Sequence, residues 1–368
     1  MSDLQQRVQE AIDQLVESGV ERGVQVAAYR GGEQVVDAVA GVADPATGEP
    51  VGAGTVFYNY SIGKGAASTI AHMLAERGLF GYDTPVVALW PEFGAHGKQS
   101  VTVRQVLNHT AGVPGIALDT TVEDLCDWDK MCAAIADAEL WWEPGTKVGY
   151  HAYTFGYIVG EIVRRTTGKP ISQVLLEEVA GPLGVGDELY FGMPASEHHR
   201  LARLEDTPGA AEMMASMPSD LPMFKAAPPN LFPGAEFGNR ADVLAADIPA
   251  GGKTSARAIA RMYAALLGEV DGVRLLSPER LREATAVSSS GVDQVFGMPT
   301  TWGLGYSIGL PGAGAQDAPT AFGVGGVGGS FAFGDSASGI AFAVTKNRLT
   351  LDFTAATQLS QLVLGAGA

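Results

Sequence analysis

Strand-like stretches stand at both ends of this chain and helical ones fill its middle. That distribution constrains the fold more than any other feature. Near the start, Val24-Gln25-Val26-Ala27-Ala28-Tyr29 and Val35-Val36-Asp37-Ala38-Val39-Ala40 flank Arg30-Gly31-Gly32-Glu33, a strand, turn, strand pattern. Near the end, residues 301–308, 330–333 and 340–345 read as strands of an antiparallel meander. Strands left unpaired expose a row of backbone hydrogen-bonding groups, so the two ends are expected to share one sheet. Apolar residues at Leu4, Val8, Ala11, Ile12, Leu15 and Val16 predict an amphipathic first helix, and residues 349–364 a closing one. The fold class that follows is α/β of the α+β type: an antiparallel sheet built from both termini, flanked by helices, with a mostly helical insertion. Residues 1–80 and 250–368 are assigned to the sheet domain and 81–249 to the helical one. Within the latter, Pro218, Pro222, Pro228, Pro229 and Pro233 crowd residues 205–250 into an irregular excursion, read as a loop covering a pocket rather than a linker.

A chain of 368 residues suits two domains, or one large domain with an insertion, and 46% hydrophobic content is ample for a core. Its 24 basic and 41 acidic residues leave a net charge of −17, which argues against nucleic acid or an anionic membrane as partner. Cys126 and Cys132 cannot form a disulfide framework, and no Cys/His cluster has zinc-ligand spacing, so neither metal nor cofactor is expected. Residues 1–6 carry no basic or apolar export signal and no run approaches 18 apolar residues; the expectation is a cytoplasmic protein acting on a small molecule. Oligomeric state is left open.

The chemistry is expected at Tyr58-Asn59-Tyr60-Ser61-Ile62-Gly63-Lys64-Gly65. Apolar positions Ile62, Ala66, Ile70 and Leu74 recur every four residues and Gly78 supplies a stop, which predicts a helix over residues 61–77. Ser61 then sits where unpaired N–H groups and the positive dipole end favour a developing anion, with Lys64 on the same face one turn on. A serine hydroxyl attacks once a base takes its proton, and a buried lysine with a lowered pKa is such a base. Taken alone, the pair reads as a helix cap followed by a solvated lysine, the commoner use of both.

Other stretches change that balance. Val101-Thr102-Val103-Arg104-Gln105-Val106-Leu107-Asn108-His109-Thr110-Ala111-Gly112-Val113-Pro114, Glu143-Pro144-Gly145-Thr146-Lys147-Val148-Gly149-Tyr150 and Gly181-Pro182-Leu183-Gly184-Val185 follow in order. Trp302-Gly303-Leu304-Gly305 and Gly325-Gly326-Val327-Gly328-Gly329-Ser330 complete the set. Together they resemble the serine β-lactamase-like hydrolases: class C β-lactamases, penicillin-binding proteins and family VIII esterases. The resemblance implies a β-lactamase/transpeptidase-like fold with the site between its two parts. It also implies an acyl-enzyme on Ser61, with Lys64 and Tyr150 as the proton-transfer partners. Which of these two takes the serine proton is open; a phenol near an ammonium can have a lowered pKa, and the two are expected to titrate as a coupled pair. The backbone N–H groups of Ser61 and Val327 would form the oxyanion hole. His151, Val324, Gly325, Gly326 and Trp302 would contact substrate, His151 alternatively filling a variable motif position. Phe232 is a second candidate for an acyl pocket, His109 is expected to hydrogen-bond its own turn, and His198-His199 to lie on the surface.

Two positions depart from the family pattern. Ala152 stands where an asparagine is usual, and Val324 where a cationic or imidazole group usually faces a substrate carboxylate. Lys346 or Arg348 is available as a substitute charge but reads better as a solvated strand end. These losses weaken a β-lactamase or peptidase reading and favour an esterase or amidase on a small neutral ester, thioester or amide. The alternative passes the same acyl group to an amine or alcohol, as an acyltransferase of secondary metabolism. An inactive binding protein is the third reading, opposed by the retention of Ser61, Lys64 and Tyr150.

Overall fold

The computed structural model describes residues 3–365. Its elements, in chain order, are helix α1 (Asp3–Glu17), strands β1 (Gly23–Arg30) and β2 (Glu33–Asp44), helix α2 (Ile62–Glu76), helix α3 (Val103–Leu107) and helix α4 (Thr154–Thr167). Helix α5 (Ala256–Leu267) follows, then strands β3 (Ser289–Val292), β4 (Pro299–Trp302), β5 (Ser307–Leu310), β6 (Ala321–Gly325), β7 (Phe331–Asp335) and β8 (Ile340–Lys346), and helix α6 (Thr354–Gly365). The main sheet runs β2-β1-β8-β7-β6-β5-β4-β3, antiparallel throughout, with Glu49–Pro50 extending the β2 edge. The two chain ends meet at its centre, where Val26 lies opposite Val344 and Ala27 opposite Ala343.

Alternation along these strands sorts the sheet into two cores. Val24, Val26 and Ala28 of β1, with Phe333 of β7 and Phe342 and Val344 of β8, face α1 and α6. Ala27 and Tyr29, with Val324, Ala332, Ala341 and Ala343, face α2 and α5. The small residues of this second face let helices lie close, and its core continues without a break into the middle third of the chain. Helix α2 is buried on nearly every side, which is why its apolar stripe is flanked by Ala, Gly and Ser rather than by charge.

Three expected boundaries move. Residues 301–308 are two strands, not one, because Gly305 takes φ +81° in the turn between β4 and β5. Residues 349–353 are not helical: Arg348–Leu349 pairs in parallel with Glu205–Asp206, and α6 begins only at Thr354. Residues 205–250 are irregular as expected, but broken into short helical turns, among them Ala210–Ser216, Pro222–Ala226 and Ala241–Ala245.

Candidate active site

Ser61 precedes α2 in a strained turn. Tyr60 holds φ +47°, a left-handed conformation that a bulky residue adopts only under constraint. The constraint is visible: its hydroxyl donates to the Gly234 carbonyl at 2.6 Å, and its own carbonyl accepts from Gly63 and Gly252 N–H. A Cβ on Gly63 would meet the backbone of Gly251 and Gly252 within 2.5 Å, so only glycine lets these chains touch. That contact brings the Ala250 carbonyl beside Lys64.

Lys64 is 1% exposed, and its Nζ lies 3.1 Å from Ser61 Oγ and 3.3 Å from the Ala250 oxygen. No carboxylate supports its charge, and burial lowers its pKa to about 7. Ser61 does not use its side chain as a helix cap, so the cap reading of this serine does not hold. Tyr150 arrives from the loop before α4; its ring centre lies 4.8 Å from Lys64 Nζ and its phenol is turned toward the Ser61 side chain. The expected lowering of the Tyr150 pKa is corrected. Burial raises it, and the buried carboxylate of Asp293 raises it further, while the Ser61 hydroxyl offsets them only in part. Asp293 is a residue sequence reading missed: it accepts from the N–H groups of Tyr150, Val295 and Phe296 and so fixes the Tyr150 backbone and one cavity wall.

On the opposite side of Ser61 stands the Gly326–Gly329 turn. A Cβ on Gly326 would lie 2.0 Å from the Asn59 oxygen and 3.6 Å from Ser61 N, so this turn packs directly on the backbone leading to the serine. Among the described residues, neither Ser61 N–H nor Val327 N–H has a protein acceptor. A cavity of about 440 Å³ opens here, lined by Ser61, Tyr150, Trp302, Val324, Gly325, Gly326 and Val327. Phe296, Met298, Leu351 and Phe353, all substantially exposed, complete its wall. A smaller recess of about 70 Å³ lies beside Lys64, between Ala152, Tyr153, Ala227 and Phe232. Ala152, in place of the usual asparagine, leaves this space open.

Two histidines and a lysine depart from expectation. His151 does not reach the cavity: its ring is fully buried, Nδ1 donating to the Gly149 carbonyl and Nε2 accepting from Val113 N–H. His109 does not bond its own turn; its Nδ1 accepts from His151 N–H, which places the proton on Nε2. The ring is wedged against Trp302 at 4.3 Å and Tyr150 at 4.9 Å between centroids, supporting the tyrosine from behind. Lys346 is not a solvated strand end but is 1% exposed in an ion pair with Glu21, and Arg348 binds the Gly19 carbonyl. His198 and His199 line a separate groove.

The Beta-lactamase family model matches residues 8–365. The chain is 37% identical over 341 residues to the "Esterase/beta-lactamase LipL" of Mycobacterium tuberculosis, covering 89% of this chain and 77% of that protein. It superposes on a family VIII carboxylesterase with a TM-score of 0.89 at 33% identity, over 99% and 98% of the two chains. A penicillin-binding protein homolog from Caulobacter crescentus gives 0.85 at 31%, over 100% and 98%. With its fold and its family match running nearly end to end, this chain belongs to the Beta-lactamase family.

Proposed function

We propose that this protein is a serine esterase that forms an acyl-enzyme on Ser61 from a neutral, largely apolar ester. The observation that carries the reading is the placing of Ser61 Oγ. An uncharged-capable amine at 3.1 Å and a phenol stand on one side of it, and two unengaged backbone N–H groups on the other. With its pKa near 7, a large fraction of Lys64 is neutral at physiological pH and its lone pair accepts the Ser61 proton. Oγ attacks the ester carbonyl carbon, and the oxyanion is held by the N–H groups of Ser61 and Val327. The tetrahedral adduct collapses with cleavage of the ester C–O bond. Tyr150, kept protonated by its raised pKa, gives its proton to the departing alkoxide and is reprotonated from the Lys64 ammonium. Water then attacks the acyl carbonyl in the reverse sense, losing a proton to the same pair, and Ser61 leaves with one. Thioesters and activated amides present the same carbonyl.

The neutrality of the substrate follows from the cavity wall. Val324 offers no charge, Lys346 is already committed to Glu21, and Asp293 and Asp352 line the same cavity, which disfavours a substrate carboxylate. Relatives named for both esterase and β-lactamase chemistry leave this choice to the cavity. An acyltransferase uses the same residues, and the apolar wall of Trp302, Phe296, Met298 and Phe353 favours it by excluding water from the acyl-enzyme.

The test is a p-nitrophenyl butyrate burst with intact-mass analysis. A stoichiometric burst and a butyryl adduct that vanishes in Ser61→Ala are expected, whereas a folded protein that forms no adduct with any activated ester would be a binding protein. Added alcohols or amines that divert product from acid to acylated acceptor would select the transferase. Benzylpenicillin is expected to turn over poorly, and rapid hydrolysis would refute the neutral-substrate argument.

A further inference from the structure

The turn that carries the Val327 N–H has little conformational preference of its own. Gly328 and Gly329 hold φ +96° and +90°, and the turn is closed by Gly329 N–H to the Gly326 carbonyl at 3.1 Å and, at its base, Gly326 N–H to the Ser330 carbonyl at 2.8 Å. It is tied down from outside. Thr350 N–H donates to the Gly328 carbonyl at 3.1 Å, and Thr350 Oγ1 lies 3.3 Å from the same oxygen and 3.0 Å from the Asp352 oxygen. Lys346 Nζ, at the end of β8, donates to Thr350 Oγ1 at 2.8 Å and to Glu21 Oε1 at 2.5 Å. Glu21 lies just before β1, 2% exposed, so the pair bridges the two chain ends. Gly329 is packed onto this group: a Cβ there would lie 2.6 Å from Thr350 Oγ1 and 3.3 Å from Lys346 Cε.

Stability does not explain the pair. Two buried charges lose about as much hydration as their attraction returns, and apolar residues of similar volume usually do as well or better. Glu21 Oε2 even lacks a partner among the described residues. What an apolar substitute would not supply is the donor that fixes the Thr350 hydroxyl. We propose that Glu21 and Lys346 are positioning residues: through Thr350 they hold the Gly326–Gly329 turn so that Val327 N–H faces the same point as Ser61 N–H. This rests on the esterase reading for its kinetic consequence, though not for the tether itself.

Three variants test it: Thr350→Val, Lys346→Met, and Glu21→Leu combined with Lys346→Met. Thr350→Val and Lys346→Met are expected to lower kcat on p-nitrophenyl butyrate by roughly 10- to 100-fold with KM within about twofold, as loss of oxyanion alignment does. Affinity for phenylboronic acid, whose tetrahedral Ser61 adduct places an oxygen at the same point, should fall by a similar factor. Deuterium uptake at the 326–329 amides should rise. The double variant should recover the wild-type Tm but not kcat, which separates positioning from simple stability. Recovery of both Tm and kcat in the double variant, or unchanged uptake and kcat in Thr350→Val, overturns the proposal. If wild type forms no acyl adduct, the esterase reading fails instead, and the exchange measurement still decides whether the pair tethers the turn.

Discussion

Lys64 and Lys253 are both buried without a carboxylate in hydrogen-bond contact, and burial lowers each to a pKa of about 7. Lys64 stands at the head of α2; Lys253 lies in the short strand Lys253–Thr254 opposite Tyr58, its Nζ 4.8 Å from that ring. What separates them is the chemistry of their partners. Lys253 Nζ donates to the carbonyls of Phe191 and Val243, which can only accept, and its residue is fully buried. A neutral amine has two N–H donors, so these two oxygens satisfy it completely, and neither can give its lone pair a proton. Lys64 has one carbonyl partner, Ala250, and one hydroxyl partner, Ser61. A hydroxyl both accepts and donates, so the lone pair of Lys64 has a proton to take. A perturbed pKa therefore marks both lysines, and only the partner distinguishes a base from a structural group.

The sharpest way to break this comparison is to replace each lysine by methionine. Lys64→Met removes the amine adjacent to Ser61 and is expected to lower the acylation rate by roughly 10⁴-fold, with the protein folded. Lys253→Met removes a buried amine whose hydrogen-bond partners are two carbonyls, and acylation should stay within about threefold of wild type. Stopped-flow acylation with p-nitrophenyl butyrate reads both. Equal losses would mean that the two lysines belong to one proton network and that partner chemistry is the wrong criterion.

The next largest effect is the acid limb of the rate profile. If neutral Lys64 is the base, kcat/KM should rise about tenfold per pH unit below a midpoint near 7 and level off above it. Lys253→Met should leave that midpoint in place. A shift of about half a unit or more in that variant would show the second amine titrating with the site.

Part of this contrast was legible in the sequence and part was not. The α2 helix announces itself through local spacing, because a helix places residues three and four apart on one face, while Ser61 and Lys64 became candidates for catalysis only with the other motifs beside them. The sheet of two ends was legible from alternation and turn residues. Lys253 carried no such signal: a lysine between Gly252 and Thr254 reads as exposed until the fold closes carbonyls over it. The Glu21–Lys346 pair is equally silent, since 325 positions separate its members and no local pattern couples them. His151 misled because adjacency to Tyr150 in sequence says nothing of direction. In extended backbone, successive side chains point to opposite faces, so a cavity-facing Tyr150 predicts a His151 turned inward. The Tyr150 pKa was misjudged for a related reason. Proximity to Lys64 suggested a lowered value, whereas burial and Asp293 decide the sign.

The smallest effect is thermodynamic, and here the two lysines should behave alike. Each is bound by a proton in the unfolded chain up to pH about 10.5 but, when folded, only up to about 7. Between those values the unfolded state holds protons that the native state does not, so stability rises with pH across this window. Below pH 7 both states are charged and the full cost of burying the ammonium is felt; above 10.5 both are neutral and the gain is complete. One pKa unit is worth about 1.4 kcal/mol, so each lysine contributes a slope of that size per pH unit within the window. Urea midpoints should therefore increase from pH 6.5 to pH 9. Lys64→Met and Lys253→Met should each flatten the rise by a similar amount although their activities differ by orders of magnitude. A variant that loses activity while keeping the full slope would mean that Lys64 is charged in the native protein at neutral pH. The role of base would then pass to Tyr150.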